Sequence, residues 1–415
     1  MWNGVNLDVW ESWAPTRPDG IEENGRTFQA YVSAGYAANG VVFAVILARM
    51  LLFSEAVFKY QRFNQGRPGD LFGDQSLAVL ETPWPGGTTG DLLARMEQHA
   101  SLGGNAFVVR PRGAQSVRIV RPDWMDILLG SNVDPETPGD QYDARVIGYV
   151  YHPGGRGRGT ADGDLFLADE VAHYAPIPDP IAHARGMSWL TPVVQEITAD
   201  GLMTRHKGKF FEHAATPNML LKTDRVLNDK QRTRLLGALK ARNEGIENAY
   251  KTLLLEGGVD ATIVGHSFEQ ISFATTQAAG ENRIAVAAGV PGIVAGLKEG
   301  LSAATYSNYA QAKRRFGDMT MRPLWRNVAG SLSVIVPPPK GARLWYDDRD
   351  IPALREDAKD AAEIHGMNAT TVATLVSAGF TPESAVAAVT NGDLNLLRYG
   401  GAVSGQPALS PAATP

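Results

Sequence analysis

The chain has 415 residues, 44% apolar and 20% charged, which is ordinary for a folded protein with room for two or three domains. A formal charge of −5 argues against a protein that grips DNA through its phosphates, since such domains are usually basic. The absence of cysteine excludes disulfides, thiolate zinc sites and cysteine nucleophiles. No signal peptide is expected, and the apolar run 41–53 carries Arg49 and is shorter than the roughly 20 residues of a membrane span, which predicts a buried helix.

The N-terminal part predicts an α+β domain that ends near Pro180. Residues 1–24 are polar and turn-rich and predict an arm, and residues 27–50 predict two helical pieces. Thr88 is placed to cap a helix. Strands are predicted at 52–63, 105–109, 117–120, 127–129, 146–152 and 171–174. The glycine–arginine loop 154–159 is interpreted as a hairpin tip, with phosphate contact as the less favoured alternative.

From Trp189 the pattern changes to a helix over 190–213, followed by a small mixed module. The module is predicted to hold three strands and one helix capped by Asn228 or Asp229; the strands are 219–222, 252–255 and 261–264. A second helix follows the module, so the arrangement is that of a small domain on a two-helix stalk.

The stretch 277–336 is the most informative part of the chain. A helix over 281–288 is stopped by Gly289-Val290-Pro291-Gly292, and a glycine-rich loop follows. A long helix then starts near Ala303, and Pro323 is predicted to kink or break it. After three prolines, the sequence predicts a strand over 343–346, a helical block over 353–397, and a disordered tail at 399–415.

Catalytic motifs are weak throughout. No Walker A sequence occurs, and Ser188 lacks the second glycine of a nucleophile elbow, so it is interpreted as a serine at a helix start. His206 and His213 are interpreted as polar surface positions rather than as metal ligands. The acids of 347–350 could hold a divalent ion, although Arg349 among them favours a salt-bridged turn.

The order of several short segments resembles phage portal proteins of long-tailed phages. The core of the resemblance is the Gly-Val-Pro stop at 289–291, a mobile loop, and Ser-Asn-Tyr-x-Gln-Ala at 307–312 on a long helix. Further segments contribute to it in order: 80–83, 104–108, 121–123, 169–174, 185–190 and 210–218. Each segment alone is weak, and their order and spacing make the match specific.

The resemblance implies an α+β multidomain portal fold, with wing, two-helix stem, small α/β clip and helical crown, assembled as a ring. The implied boundaries are wing at 1–190 and 305–350, stem helices at 191–215 and 272–290, clip at 216–271, tunnel loop at 291–304, crown at 351–398, and tail at 399–415.

The resemblance also implies which residues meet DNA or a neighbouring subunit. The tunnel loop would contribute Gly296, Leu297, Lys298, Glu299, Gly300, Leu301 and Ser302. Its glycines would let it move, its leucines would form a smooth apolar wall, and its two charges nearly cancel. A basic stripe on the long helix would pair with the next subunit or face the channel; it comprises Lys313, Arg314, Arg315 and Arg322.

A portal is not an enzyme, so no catalytic residue, metal or cofactor is expected. The implied partners are further copies in a closed ring of twelve, double-stranded DNA passing without sequence specificity, the large terminase, a head-completion adaptor, and the major capsid and scaffold proteins; no membrane is expected. The expected location is a capsid vertex of the virion, after assembly in the bacterial host cytoplasm.

The short N-terminal arm departs from the family. The alternatives are another ring component such as an adaptor, which is usually much shorter, and a metal-dependent hydrolase or nuclease with its site near Asp347–Asp350.

Overall fold

A computed structural model of the chain describes residues 21–22, 28–64, 66–133, 143–155, 163–212, 219–223, 228–234, 237, 259–263, 273–298, 306–354 and 358–400. The chain divides into two compact units, residues 1–353 and 354–415, which are described separately. Helices and sheets occur together in the first unit, whereas the second is mainly helical, as the sequence predicted.

The first unit opens with a short strand and a broken helix. Strand β1 (Ile21–Glu22) precedes α1 (Phe28–Ala30), which continues as a π-helix over Tyr31–Tyr36, and α2 (Gly40–Phe53) follows. The break is fixed by Asn39, whose extended backbone and side-chain oxygen cap the first amides of α2.

Helix α2 lies in the core. Its buried apolar residues are Val42, Val45, Ile46 and Phe53. No single helix in the described ranges is long and apolar enough to cross a membrane; the pair Phe28–Tyr36 and Gly40–Phe53 passes that test only together, with a bend of 109° between them.

One antiparallel sheet joins distant parts of the chain. It has the order β12–β2–β3, with β2 at Val57–Asn64, β3 at Arg67–Phe72 and β12 at Ala342–Asp347. The strand predicted over 52–63 begins later than expected because α2 continues to Phe53. Strand β3 was not predicted, since Pro68 and Gly69 are unfavourable in strand interiors and are tolerated here at the edge of the sheet.

A second group of elements packs two sheets face to face. Helices α3 (Ala78–Glu81) and α4 (Thr89–Gly103) lead into the sheet β5–β4–β9, formed by Arg118–Val120, Ala106–Val109 and Val171–Tyr174. The other sheet has the order β1–β6–β7–β8, with β6 at Met125–Ser131, β7 at Ala144–Tyr151 and β8 at Asp164–Leu167. Their shared core includes Phe107, Met125, Ile127, Tyr149 and Val171.

The glycine–arginine loop 154–159 was predicted as a hairpin tip between the strands 146–152 and 171–174. The antiparallel partner of β7 is instead β8, and their pairing runs to Tyr151 opposite Asp164. The strand predicted at 171–174 is β9 of the other sheet, and residues 156–159 of the loop lie outside the described residues. Strand β8 itself was not predicted. Leu165 and Leu167 on one of its faces are 63% and 44% exposed, and in the described part of the chain β8 is the last strand of its sheet.

Two antiparallel helices carry the small module, as predicted. Helix α5 (Val194–Glu212) leads to β10 (Met219–Thr223), and β11 (Val259–Ile263) pairs with β10 before α6 (Phe273–Ala287) returns. Asn228 caps residues 229–234 by exchanging hydrogen bonds with Gln231. The strand predicted at 252–255 lies outside the described residues.

The long helix predicted after the loop is interrupted near the expected place. Helix α7 (Tyr306–Phe316) changes to a π-helix over Gly317–Met321 and continues as α8 (Arg322–Leu332). Pro323 cannot donate a backbone hydrogen bond, so the α-helical pattern cannot run through this point unchanged. One face of α8 is buried: Trp325, Val328, Ala329 and Leu332.

The second unit contains α9 (Ala358–Ser377) and α10 (Pro382–Asn391). Helix α10 begins with Thr381 and Pro382, as predicted, and ends at Gly392, whose φ is +64°. A bridge between Phe380 and Tyr399 closes the unit. Residues 401–415 of the predicted tail lie outside the described residues.

Candidate functional site

The end of α6 is the best-defined feature next to the predicted tunnel loop. The amide of Gly289 donates to the carbonyl of Val286, and the amide of Val290 donates to that of Ala285, both at 2.9 Å. These two bonds, with Gly289 at φ +69°, form a Schellman motif, and Pro291 follows it directly. The predicted Gly-Val-Pro stop is therefore a defined helix ending.

The first part of the predicted tunnel loop is a closed turn. The amides of Val294 and Ala295 donate to the carbonyl of Pro291, and that of Leu297 donates to Gly292 at 2.8 Å. Gly296 ends the turn with φ +76°. Residues 291–297 are therefore held by their own backbone bonds.

The loop residues predicted to line a channel divide into three groups. Gly296 and Lys298 are exposed, and Glu299, Gly300, Leu301 and Ser302 lie outside the described residues. Leu297 is only 8% exposed. Its side chain packs inside the chain in this conformation and does not present the apolar wall that the sequence predicted for it.

A buried charged network contacts the end of α6. Arg49 of α2 donates from Nε to Glu97 Oε1 of α4 at 2.7 Å, and its Nη1 donates to the carbonyl of Ala288. Glu97 is fully buried and also accepts hydrogen bonds from the hydroxyls of Ser101 and Tyr174. Burial and the neighbouring Glu97 raise the pKa of Tyr174 well above its ordinary value, so its phenol remains protonated.

A second contact reaches the same point from the π-helix. Thr320 Oγ1 donates to the carbonyl of Gly289 at 2.8 Å. Any side chain at position 289 would put its Cβ only 2.8 Å from the hydroxyl oxygen of Thr320. The start of the loop is thus held from two sides, by α2 and by the π-helix.

The two stalk helices are joined by polar contacts. Asp200 of α5 accepts hydrogen bonds from Asn39 and from Gln277 of α6, at 2.8 and 3.0 Å. Gln277 in turn accepts from Lys207 at 2.8 Å. Because Asn39 also caps α2, this chain of bonds fixes the helix pair to the first unit's core.

The predicted basic stripe is less uniform than the sequence suggested. Arg322 forms ion pairs within its own chain, with Asp318 and with Asp348. Lys313 lies 4.5 Å from the ring centre of Tyr309, Arg314 is half-buried, and Arg315 is exposed. Arg322 is therefore committed to internal contacts.

The acidic turn at 347–350 is a set of ion pairs. Asp347 accepts from Arg349 and Lys59 at 2.7 and 2.8 Å, and hydrogen bonds from Arg349 hold the pKa of Asp347 well below its usual range. Asp348 pairs with Arg322. Among the described residues no group of three or more His, Asp or Glu could hold a metal ion. The salt-bridged turn, rather than the metal site, is the arrangement found.

The other weak catalytic candidate is also structural. Ser188 is buried; its hydroxyl donates to the carbonyl of Ser101 at 2.5 Å and accepts from the amide of Leu190. His206 lies on α5, and His213 is outside the described residues.

Comparison with known proteins decides the family. The family model described as phage portal protein matches residues 54–374. The chain belongs to this family. Its members are structural proteins of the virion and not enzymes, so the hydrolase alternative is not favoured.

Solved portal-type structures share the fold. The neck of a native gene transfer agent (GTA) particle, computed with C12 symmetry, matches with a TM-score of 0.59 at 23% identity, covering 86% of this chain and 92% of the other. The crystal structure of an HK97-family phage portal protein from Corynebacterium diphtheriae matches with a TM-score of 0.52 at 14% identity, covering 79% and 96%. An uncharacterized protein of Rickettsia bellii (strain RML369-C) is 22% identical over 284 residues, 65% of this chain and 67% of that protein.

Sequence reasoning missed several residues that position the loop: Arg49, Glu97, Thr320 and Asp200. The available signal was Arg49 itself, a lone charge inside the apolar run 41–53. A charge in a buried helix requires a partner, but nothing in the sequence says that the partners are Glu97 and the end of α6.

Proposed function

We propose that this portal-family chain forms a closed ring of twelve subunits at one vertex of a capsid, with an axial channel through which double-stranded DNA enters and leaves. The observation that carries the proposal is the arrangement of α5 and α6. The pair bears the β10–β11 module at one end and the glycine-containing loop at the other. The neck structure computed with C12 symmetry supports the twelve-fold ring.

In this proposal the domains keep the boundaries that the resemblance implies. The wing comprises 1–190 and 305–350, the stem helices 191–215 and 272–290, the clip 216–271, the tunnel loop 291–304, and the crown 351–398. The clip would dock the large terminase and later the head-completion adaptor, and the wing would meet the major capsid and scaffold proteins. Assembly would take place in the bacterial host cytoplasm.

The loop would meet DNA without gripping it. Lys298 and Gly296 are exposed at the end of the turn, and Leu297 is turned inward. The overall charge of −5 disfavours tight binding of phosphates and suits passage of a duplex. Among the basic-helix residues, Lys313, Arg314 and Arg315 are the ones proposed to face a neighbouring subunit or the channel.

Electron microscopy and native mass measurement of the purified protein test the proposal. We expect rings with an open axial channel and a mass near twelve times 44.6 kDa. The same measurements are repeated on protein that is co-expressed with the capsid and scaffold proteins of the same particle, in case the ring needs them to assemble. A compact monomer or dimer that persists under both conditions would overturn the proposal.

A further inference from the structure

The carbonyl of Ala288 has an unusual partner for a helix end. Ala288 is buried and follows α6 directly. Its carbonyl is therefore among the last carbonyls of the helix, for which the helix itself supplies no N–H donor. The guanidinium of Arg49, a residue that is only 5% exposed, donates to that carbonyl. A cation at this position also interacts favourably with the helix dipole.

The guanidinium is itself held in place by buried groups. Its Nε donates to Glu97, which is 0% exposed, and Glu97 is fixed by the hydroxyls of Ser101 and Tyr174. Tyr174 belongs to β9 and packs against Phe53 with ring centres 5.9 Å apart. Helices α2 and α4 and strand β9 therefore position one guanidinium against the end of α6.

We propose that Arg49, oriented by Glu97, is the positioning residue that fixes the origin of the tunnel loop against the wing. The role given to the loop rests on the proposed function, whereas the contact itself does not. A planar guanidinium can donate to a carboxylate and to a carbonyl at the same time, which a lysine ammonium at this depth cannot reproduce with the same geometry. In this proposal the helix ending at 285–290 stays fixed while DNA passes.

The test is hydrogen–deuterium exchange on the full chain carrying Arg49→Met with Glu97→Gln. The pair of substitutions removes both buried charges. The amide oxygen at position 97 can still accept from Ser101, and the amide NH2 group can donate to the hydroxyl of Tyr174. The reporter amides are those of Val290 and Leu297, which donate to Ala285 and Gly292. We expect both to exchange at least about tenfold faster, while amides of α4 keep their rates.

A matched control removes a comparable ion pair elsewhere in the first unit. Arg185 donates to Asp179 at 2.8 Å, and both side chains are mostly buried. Arg185→Met with Asp179→Asn should leave the exchange of Val290 and Leu297 unchanged. Faster exchange throughout α4 as well would mean a merely structural role for Arg49 and would overturn the proposal, as would unchanged exchange at both reporter amides.

Arg49→Lys keeps the test decisive if the double variant does not fold. It retains the buried charge opposite Glu97, and we expect it to accelerate exchange at Val290 but not in α4. Wild-type rates at Val290 in this variant would contradict a geometric role. Electron microscopy of the same samples separates the two ideas, because absence of rings in the wild type would overturn the proposed function and leave the exchange comparison valid.

Discussion

Gly289 concentrates several constraints in one residue. Its φ of +69° is accessible to glycine and costly for other residues, its amide closes the end of α6, and its carbonyl accepts from Thr320. Gly280, in the same helix, has open space where a Cβ would lie and helical backbone geometry. The two glycines therefore allow a matched comparison.

We expect Gly289→Ala to lower the free energy of unfolding by about 1–2 kcal/mol, because the left-handed conformation is strained for alanine. Gly280→Ala should instead raise it by about 0.5–1 kcal/mol, since alanine is the better helix former. Urea unfolding midpoints of the two variants and the wild type, taken at one protein concentration, provide the measurement. Equal midpoints for both variants would show that the left-handed conformation of residue 289 does not require glycine.

Two half-buried histidines make stability depend on pH. Burial lowers the pKa of His173 to about 3 and that of His99 to about 4. His173 Nε2 lies 2.9 Å from Asn105 Oδ1, which already accepts from the amide of Gly186, so the imidazole is the donor in this contact. In the unfolded chain both imidazoles bind protons below about pH 6.5.

The unfolded state therefore binds more protons than the folded state below about pH 6.5, so stability is lost as the pH falls from there towards about 4. We expect the melting temperature to drop across this window, and to drop less in a variant carrying His173→Gln and His99→Gln. His365→Gln, on the exposed face of α9, is the control and should leave the pH dependence of the first unit's transition unchanged. Parallel wild-type and double-variant curves would contradict this assignment.

At the scale of elements, the ends of helices follow from local chemistry. Thr88 accepts from the amide of Asp91 at 3.2 Å, and Asp91 Oδ2 accepts from the amide of Thr88 at 3.0 Å, forming a capping box at the start of α4. Helix α4 also carries Glu97, the buried partner of Arg49.

Thr88→Ala should destabilise the protein by about 1 kcal/mol, since an N-terminal amide loses its acceptor. Thr88→Ser retains the hydroxyl and should restore most of the loss. Thermal unfolding of the three proteins, followed by far-UV circular dichroism, is the measurement. A serine variant as unstable as the alanine variant would indicate that the methyl group, and not the cap, stabilises this end.

The sequence predicted the elements whose signals are local and missed those that depend on distant partners. Helix ends are marked by residues whose own side chain or backbone conformation stops or starts the helix: Asn39, Thr88, Gly289 and the Thr381–Pro382 pair. Strand β3 contains Pro68 and Gly69 and depends on pairing with β2, a partner that its own residues do not reveal. The π-helix at 317–321 was predicted only as a break near Pro323, although it brings Thr320 to Gly289.

The site was predicted in the same uneven way. The stop after α6 and the position of the loop follow from glycine and proline spacing. The inward direction of Leu297 does not, because a leucine in a glycine-rich stretch is compatible with either face. The ion pairs of Arg322 with Asp318 and Asp348 depend on how the π-helix meets the end of β12, which no local pattern encodes.

At the scale of the whole molecule, the module on α5 and α6 is a closed insertion. Met219 pairs with Ile263 at its base, so the chain leaves and returns at neighbouring positions. Residues that face each other across antiparallel strands lie about 5 Å apart, and a few residues can join them.

Replacing residues 220–262 by a short Gly-Ser linker should therefore leave the rest of the first unit folded. We expect its melting temperature to change by no more than about 4 °C, because none of the buried apolar residues in the described part of the chain lies in that segment and a short linker adds little closure entropy. Differential scanning calorimetry of the shortened and full chains makes the comparison. Loss of the cooperative transition would show that the module is needed to fold the stalk.

Strand β8 has a consequence for the life of a newly made subunit. Its exposed leucines lie on the outermost described strand of their sheet, where free backbone groups and apolar side chains together favour pairing with other chains. A copy with this strand uncovered is therefore prone to pair with other copies through it. Loss of protein to aggregation then depends on how long the strand stays uncovered, and not only on how stable the folded chain is.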